Sequence, residues 1–235
     1  MERDTQGFEH IRTIISRLLG QEPTGPDLPE PPFDSPIETA FADSCFKFLS
    51  PNVYVGKQVE ATSTHGVFHL DFLMSVNDRK IAMECDGKDF HEGLRDELRD
   101  AILLGGGNCE TIYHFRGCDL VYYPYDCVWL ISVLDKDLFS QRGHIQLRQL
   151  RCLTSDVGNE DAEKNESFFS ILTPPSRFFW AFRRSVRLVS KNPTLNYHWK
   201  TLYKFACEYP SASLDELLNI RISSWGQALD QTESH

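Results

Sequence analysis

The sequence predicts an α/β core followed by a helical C-terminal extension. Three observations carry this reading. A capped amphipathic helix opens the core at Ser35, three consecutive runs with β patterning follow it, and a glycine-stopped helix separates them from a fourth strand. The expected order from Ser35 to about Phe139 is therefore helix, three strands, helix, strand, helix.

Ahead of that core, residues 9–19 (EHIRTIISRLL) place Ile11, Ile14, Ile15, Leu18 and Leu19 on one helical face, and Gly20 stops the run. The proline-rich QEPTGPDLPEPPFD shows no period and reads as a linker. Residues 1–34 thus form an N-terminal helix and linker, expected to be a packed arm or a partner-binding element. In SPIETAFADSCFKFLS, Ser35 caps a helix, Pro36 suits its first turn and Glu38 completes a capping box. Ile37, Phe41, Cys45 and Phe48 make its apolar stripe.

NVYVGKQVEAT, VFHLDFLMSV and RKIAMECDG are the three strands, with Asn77-Asp78 as the tight link between the last two. EGLRDELRDAILLGG is a helix with Leu94, Leu98 and Ile102 inward, ended by the glycines at 105–107. CETIYHF is the fourth strand. YPYDCVWLISVLDKDLF is expected to be helical, though its apolar density also permits a strand. Residues 35–150 make up this core. Residues 151–235 form a mainly helical, partly basic region, beginning with the acidic loop SDVGNEDAEKNES. RFFWAFRRSVRLVSK is read there as a helix, with LNYHWKTLYKFACEY as a second after Pro193. Ser213 and Glu216 cap a third, and the last ten residues are expected to fray.

The 235 residues are 41% hydrophobic, without a run of 18 apolar residues to span a membrane. An acidic, polar start argues against a signal peptide, and seven scattered cysteines fit a reducing, cytoplasmic setting. No CxxC pair suggests a zinc ribbon. The net charge of -10 opposes a nucleic-acid partner on its face. Its distribution does not. From Ser167 to Cys207 there is no acid, while Arg177, Arg183, Arg184, Arg187, Lys191, Lys200 and Lys204 are all basic. GxGxxG, Walker and GxSxG motifs are absent, which argues against dinucleotide binding, P-loop hydrolysis and serine hydrolysis.

Strand alternation singles out the acids. In the second strand His69 and Asp71 share a face, and in the third Ala82, Glu84 and Asp86 share one. Pairing through Asn77-Asp78 brings Asp71 and Glu84 together. Clustered carboxylates repel and lose hydration, a cost that a divalent cation relieves. Oxygen ligands suit Mg²⁺ or Mn²⁺, and the backbone carbonyl of Cys85 offers one more oxygen. The plainer reading is that Asp86-Gly87 marks a turn and that a backbone amide or Lys57 satisfies Asp71. Glu38 is explained by its capping box, with metal participation as the alternative.

The pieces SPIETAF, HLDFLM, AMECDGKDFH, RDELRDAILLGGG and YHFRG together resemble the PD-(D/E)XK nuclease superfamily, in particular its very-short-patch-repair-like endonuclease branch. The resemblance covers roughly residues 35–135. It implies a restriction-endonuclease-like core, with a four-stranded mixed sheet flanked by helices, and metal-dependent phosphodiester hydrolysis. By that resemblance Asp71 and Glu84 are metal ligands, Glu38 touches the metal through water, and Arg116 faces substrate or clamps the fold.

Position 86 departs from the general motif, with Asp in place of Lys. Asp86 then binds a second metal or orients Lys88, and Lys88 reaches back to the attacking water or the scissile phosphate. His91 contacts the leaving oxygen, bonds Asp86 or simply packs. Arg95, Asp96, Arg99 and Asp100 are spaced for ion pairs along a solvated, salt-laced helix face, and the alternative is that Arg99 reaches a phosphate or braces Glu84. Arg183, Arg184 and Arg187 are the expected phosphate contacts of the basic segment. The expected function is a Mg²⁺-dependent endonuclease acting on DNA. The alternative is an inactive nuclease-fold module that binds nucleic acid or a protein. A homodimer or protein partner through the terminal helices is a further expectation, and no membrane is.

Overall fold

The computed structural model describes residues 26–87, 93–151, 168–172, 179–186 and 198–232. Helix α1 (Pro36–Cys45) starts at Ser35, whose hydroxyl accepts from the Glu38 N–H at 3.1 Å. The Glu38 carboxylate in turn accepts from the Asp34 N–H at 3.3 Å, so the capping box closes one residue earlier than the motif prescribes. Strands β1 (Tyr54–Ser63), β2 (Gly66–Val76) and β3 (Arg79–Asp86) form an antiparallel meander. Asn77 and Asp78 link β2 to β3 with φ of 47° and 65°, a left-handed pair whose twist matches that of the flanking strands.

Helix α2 (Gly93–Gly105) then crosses over to β4 (Thr111–Arg116), which lies parallel to β3, as a helical connection permits. Gly105 is required by close approach: a Cβ there would stand 2.2 Å from the Tyr203 ring. Helices α3 (Gly117–Tyr122), α4 (Pro124–Leu134) and α5 (Gln141–Leu150) follow, so the ambiguous apolar segment after β4 is helical from Pro124. The expected helix, three strands, helix and strand are therefore all in place, in that order.

The basic segment is a correction. Strands β5 (Phe168–Leu172) and β6 (Phe179–Val186) occupy ground that the sequence suggested was helical. β6 pairs antiparallel with β4, and among the described residues the sheet has six strands in the order β1-β2-β3-β4-β6-β5, not four. An apolar-basic run fits either period. A buried central strand needs partners for its backbone groups along both edges, and this demand outweighs local helix preference. Arg183 and Arg184 stand opposite His114 and Tyr113 in that pairing, at alternating strand positions and not in one helical sector. Arg187, Lys88, His91, the 9–19 helix and the 155–167 loop lie outside the described residues.

Helices α6 (His198–Glu208) and α7 (Leu214–Thr232) complete the chain. α7 has the expected cap: Glu216 accepts from the Ser213 N–H at 2.7 Å, and Ser213 accepts from the Glu216 N–H at 3.3 Å. It continues to Thr232, where fraying was expected.

Helices cover both faces of the sheet. One core joins Phe41 and Cys45 of α1 and Val128 and Ile131 of α4 to Phe72, Met83, Tyr113 and Phe115. The other joins Leu98 and Ile102 of α2, Leu202 of α6 and Leu217 of α7 to Phe68, Leu70, Ala82 and Ile112. At the base of β3, Arg79 ties the layers together. It bonds Asp137 at 2.8 Å, Glu110 at 3.3 Å and the buried Asp135, which also accepts from the Tyr113 hydroxyl.

Removing Asp135 takes the acceptor from the buried Tyr113 hydroxyl and a charged partner from Arg79, and a buried donor left unmet is costly. Asp135→Ala is expected to cost about 3 kcal/mol in urea unfolding, whereas Asp137→Ala, at a partly exposed site, is expected to cost under about 1 kcal/mol.

Candidate functional site

The site lies where the sheet opens. The β1–β2 register runs unbroken from Tyr54–Ser75 to Ser63–Gly66 except at Gln58 and Asp71. Gln58 has φ 48°, a left-handed value that a non-glycine residue holds only at a cost. On one side of this gap Val55, Phe72 and Met74 pack into the α1 and α4 core. On the other, Ala61, Phe68 and Leu70 pack into the α2 core. The hairpin thus rolls from one face of the sheet to the other at Asp71. Pairing of β2 with β3 stops at Phe72–Met83. Just past that last pair, Asp71 Oδ2 accepts the Cys85 N–H at 2.7 Å. A carboxylate takes the place of a ladder partner, which is the backbone-amide explanation raised for Asp71. Lys57 instead donates to the carbonyls of Glu30 and Pro32.

Glu84 lies beside this opening and is only 5% exposed. Burial raises its pKa to about 7, against the attraction of Arg99 and with the added repulsion of Asp71. Asp71 is also raised by burial, its bond to the Cys85 amide acts against this, and Glu38 adds to it. Glu38 therefore approaches the site from α1, held by the Asp34 amide and, at 3.4 Å, by Gln58. Arg99 of α2 donates to Glu84 Oε1 at 3.0 Å and to the His69 carbonyl at 2.7 Å. Of the three readings of Arg99, bracing Glu84 is the one seen.

Asp86 sits on a second polar link. His114 of β4, paired with Glu84 in the parallel register, places Nδ1 3.0 Å from Asp86 Oδ2 and Nε2 3.1 Å from both Asp100 oxygens. Only a doubly protonated ring donates to both carboxylates. Asp100 is 2% exposed, so it does not belong to the solvated helix face that the sequence suggested. The sequence placed Asp100 only among the ion-pairing residues of that face, and His114 was not singled out. The available signal was a lone histidine in an apolar strand, whose partner is set by strand register alone. Arg116 pairs with Asp119 at 2.7 and 3.0 Å, and lines a cleft with Asp86. His69 is exposed, 3.7 Å from Glu60. His65 is buried and bonds the Ala212 carbonyl at 2.8 Å, tying the β1–β2 turn to the start of α7.

Half-buried Asp71 and buried Glu84 are both held above their ordinary range, and a hard cation would favour their charged forms. Asp71 Oδ2 and Glu84 Oε1 are committed to the Cys85 amide and Arg99, so each carboxylate has one further oxygen to offer. Among the described residues, no group of three or more His, Cys, Asp or Glu side chains is arranged to hold a metal ion. The fit is to an open two-carboxylate site completed by other oxygens, which Mg²⁺ tolerates, and not to a closed cage.

The topology is compatible with the broad PD-(D/E)XK-like fold. Comparison with protein-family models, curated proteins and solved structures finds no significant match. Among the described residues no helix is long and apolar enough to cross a membrane.

The raised Glu84 has a signed consequence for the metal-free protein. Between its ordinary 4.5 and about 7, the folded state holds a proton that the unfolded state has released. This contribution to stability is therefore lost as pH rises through that window. In chelator, wild type is expected to lose on the order of a few kcal/mol relative to Glu84→Gln between pH 5 and pH 8, measured by urea unfolding.

Proposed function

We propose that this chain is a metal-dependent nuclease of the very-short-patch-repair-like kind, hydrolysing phosphodiester bonds in DNA. The observation that carries the reading is the opening of β2 from β3, where the half-buried Asp71 faces the buried Glu84 and its charge pushes that carboxyl upward. Residues 35–150 are the proposed nuclease-like unit, and the region that follows is a proposed extension, supported by the addition of β5 and β6 to the sheet.

Asp71 and Glu84 would hold Mg²⁺ or Mn²⁺ together with the Cys85 carbonyl, with Glu38 acting through water. When bound, such an ion lowers the pKa of a coordinated water and offsets charge on the phosphate. The protein's own groups do the rest. The Cys85 amide fixes one Asp71 oxygen, and Arg99 fixes one Glu84 oxygen, so both carboxylates are oriented before substrate arrives. His114 holds Asp86 beside them. Lys88 and His91 follow Asp86 in sequence and are the proposed groups for the attacking water and the leaving oxygen. Arg116 at the edge of the site, with Arg183, Arg184 and Arg187 further on, would take neighbouring phosphates.

One observation favours the second reading, an inactive module that binds nucleic acid or protein. Arg99 already supplies Glu84 with a positive partner. A cleavage assay decides between them. Purified protein is incubated with labelled linear, nicked, branched and single-stranded DNA, with and without Mg²⁺ or Mn²⁺. Changes in the outer shell of a metal site already cost about 10–100-fold, so Asp71→Asn and Glu84→Gln are each expected to cost more than about a hundredfold in rate. Asn is chosen because it keeps an acceptor for the Cys85 N–H. No cleavage of any substrate with either metal would leave the binding module as the answer, and full activity in both variants would overturn the roles given to Asp71 and Glu84.

The basic segment has its own test. Arg183→Glu with Arg184→Glu is expected to weaken binding to unrelated DNA sequences alike. It should also flatten the dependence of log K on log salt by about one unit per lost phosphate contact. Anisotropy titrations across a salt series read both effects, and an unchanged slope assigns the segment to folding alone.

A further inference from the structure

We propose that the cleft beside Asp86 is a subsite for one unstacked nucleobase of the substrate strand, an inference that rests on the phosphodiesterase reading above. The cleft measures about 450 Å³ and is lined, among the described residues, by Ile37, Gly117, Val121 and Tyr122 on its apolar side and by Asp86 and Arg116 on its polar side. That volume lies within the range of about 300–1,000 Å³ typical of small-ligand sites. Apolar walls with polar groups at one edge match the chemistry of a base, which has an apolar face and a hydrogen-bonding rim.

Three features favour a base over other occupants. Asp86 belongs to both places: it lines the cleft, and it lies two residues beyond Glu84 on β3. A ligand in the cleft therefore sits next to the proposed point of cleavage. His114 bonds one Asp86 oxygen, so the carboxylate is oriented as an acceptor for ring or exocyclic N–H groups. At the rim, Tyr122 is 74% exposed, more than any other large apolar side chain among the described residues, and Val121 is 57% exposed. An exposed ring beside a cationic side chain is the arrangement on which bases stack without regard to sequence. Gly117 sets the depth, since a Cβ there would stand 2.5 Å from Ile37 Cδ1 and 3.3 Å from the Asp86 carbonyl oxygen. The substrate class that follows is a strand with one base free to leave the stack, such as a single strand or a bulge.

The test uses the full chain in chelator, so that nothing is cut. 2-Aminopurine is placed at successive positions of duplexes with and without a single-nucleotide bulge. Fluorescence is expected to rise at one position on binding, and Tyr122→Ala is expected to abolish that rise. The preference for bulged over uninterrupted duplex should fall roughly tenfold in the variant. Saturation-transfer NMR with deoxynucleoside monophosphates gives a second readout, with base protons in contact for wild type and not for Tyr122→Ala. If no position responds and the variant keeps the full preference, the subsite is overturned, while Mg²⁺-dependent cleavage would still support the nuclease reading. If wild type binds no nucleic acid at all, both fall. Loss of a protein ligand in Tyr122→Ala, with 2-aminopurine silent throughout, overturns the subsite and assigns the surface to protein docking.

Discussion

A single hydrogen bond sets the geometry of this protein: the Cys85 amide donating to Asp71 Oδ2. Two paired strands cannot part inside a core without leaving backbone groups unmet, and unmet buried groups are rare because they cost about 1–3 kcal/mol each. By accepting that amide, Asp71 allows β2 to leave β3 after Phe72–Met83. Once β2 has left, the hairpin can roll across to the α2 side, carrying Phe68 and Leu70 into the second core. Glu84 is then flanked by Asp71, and Arg99 and His114 close in from α2 and β4. The same carboxylate is thus a structural device and half of the acid pair.

The charges around it are arranged in a chain. Arg99 meets Glu84, while His114 joins Asp86 to Asp100. Loss of hydration drives Glu84 upward in spite of Arg99, and the charge of Asp71 adds to it. An apolar core of similar volume would be the more stable solution. Such gatherings of ionisable groups occur at functional sites and in structural ion-pair networks alike.

Elements that carry their own punctuation were legible in the sequence. Ser35-Pro36, Asn77-Asp78 and the glycines after Leu104 each announce a boundary through local stereochemistry, and those boundaries hold. The acid pair was legible because strand alternation and a two-residue turn fix which side chains coincide. β5 and β6 were not, because Phe179–Val186 satisfies both periods and only the open edge of β4 chooses between them. Asp100 was hidden for a similar reason: a charged residue in a charged helix looks solvated until the strand beneath presents a histidine. The roll of the hairpin at Gln58 has no local signature, since glutamine does not favour positive φ.

The placement of β6 has a consequence for how the chain is made. β4 lies between β3 and β6, yet Phe179 follows Arg116 by 63 residues (179 - 116). At about 5–20 residues per second, a ribosome needs roughly 3–13 s to supply that partner. Throughout that interval the emerging chain presents an apolar strand with one open edge, a template for pairing with any other nascent copy. The helices α3 to α5 are made in the same interval, and they shield one face of β4 while its edge waits. A chain cut short before Phe179 would leave that edge of β4 open and would lack Leu202 and Leu217, which cover α2 in the full chain.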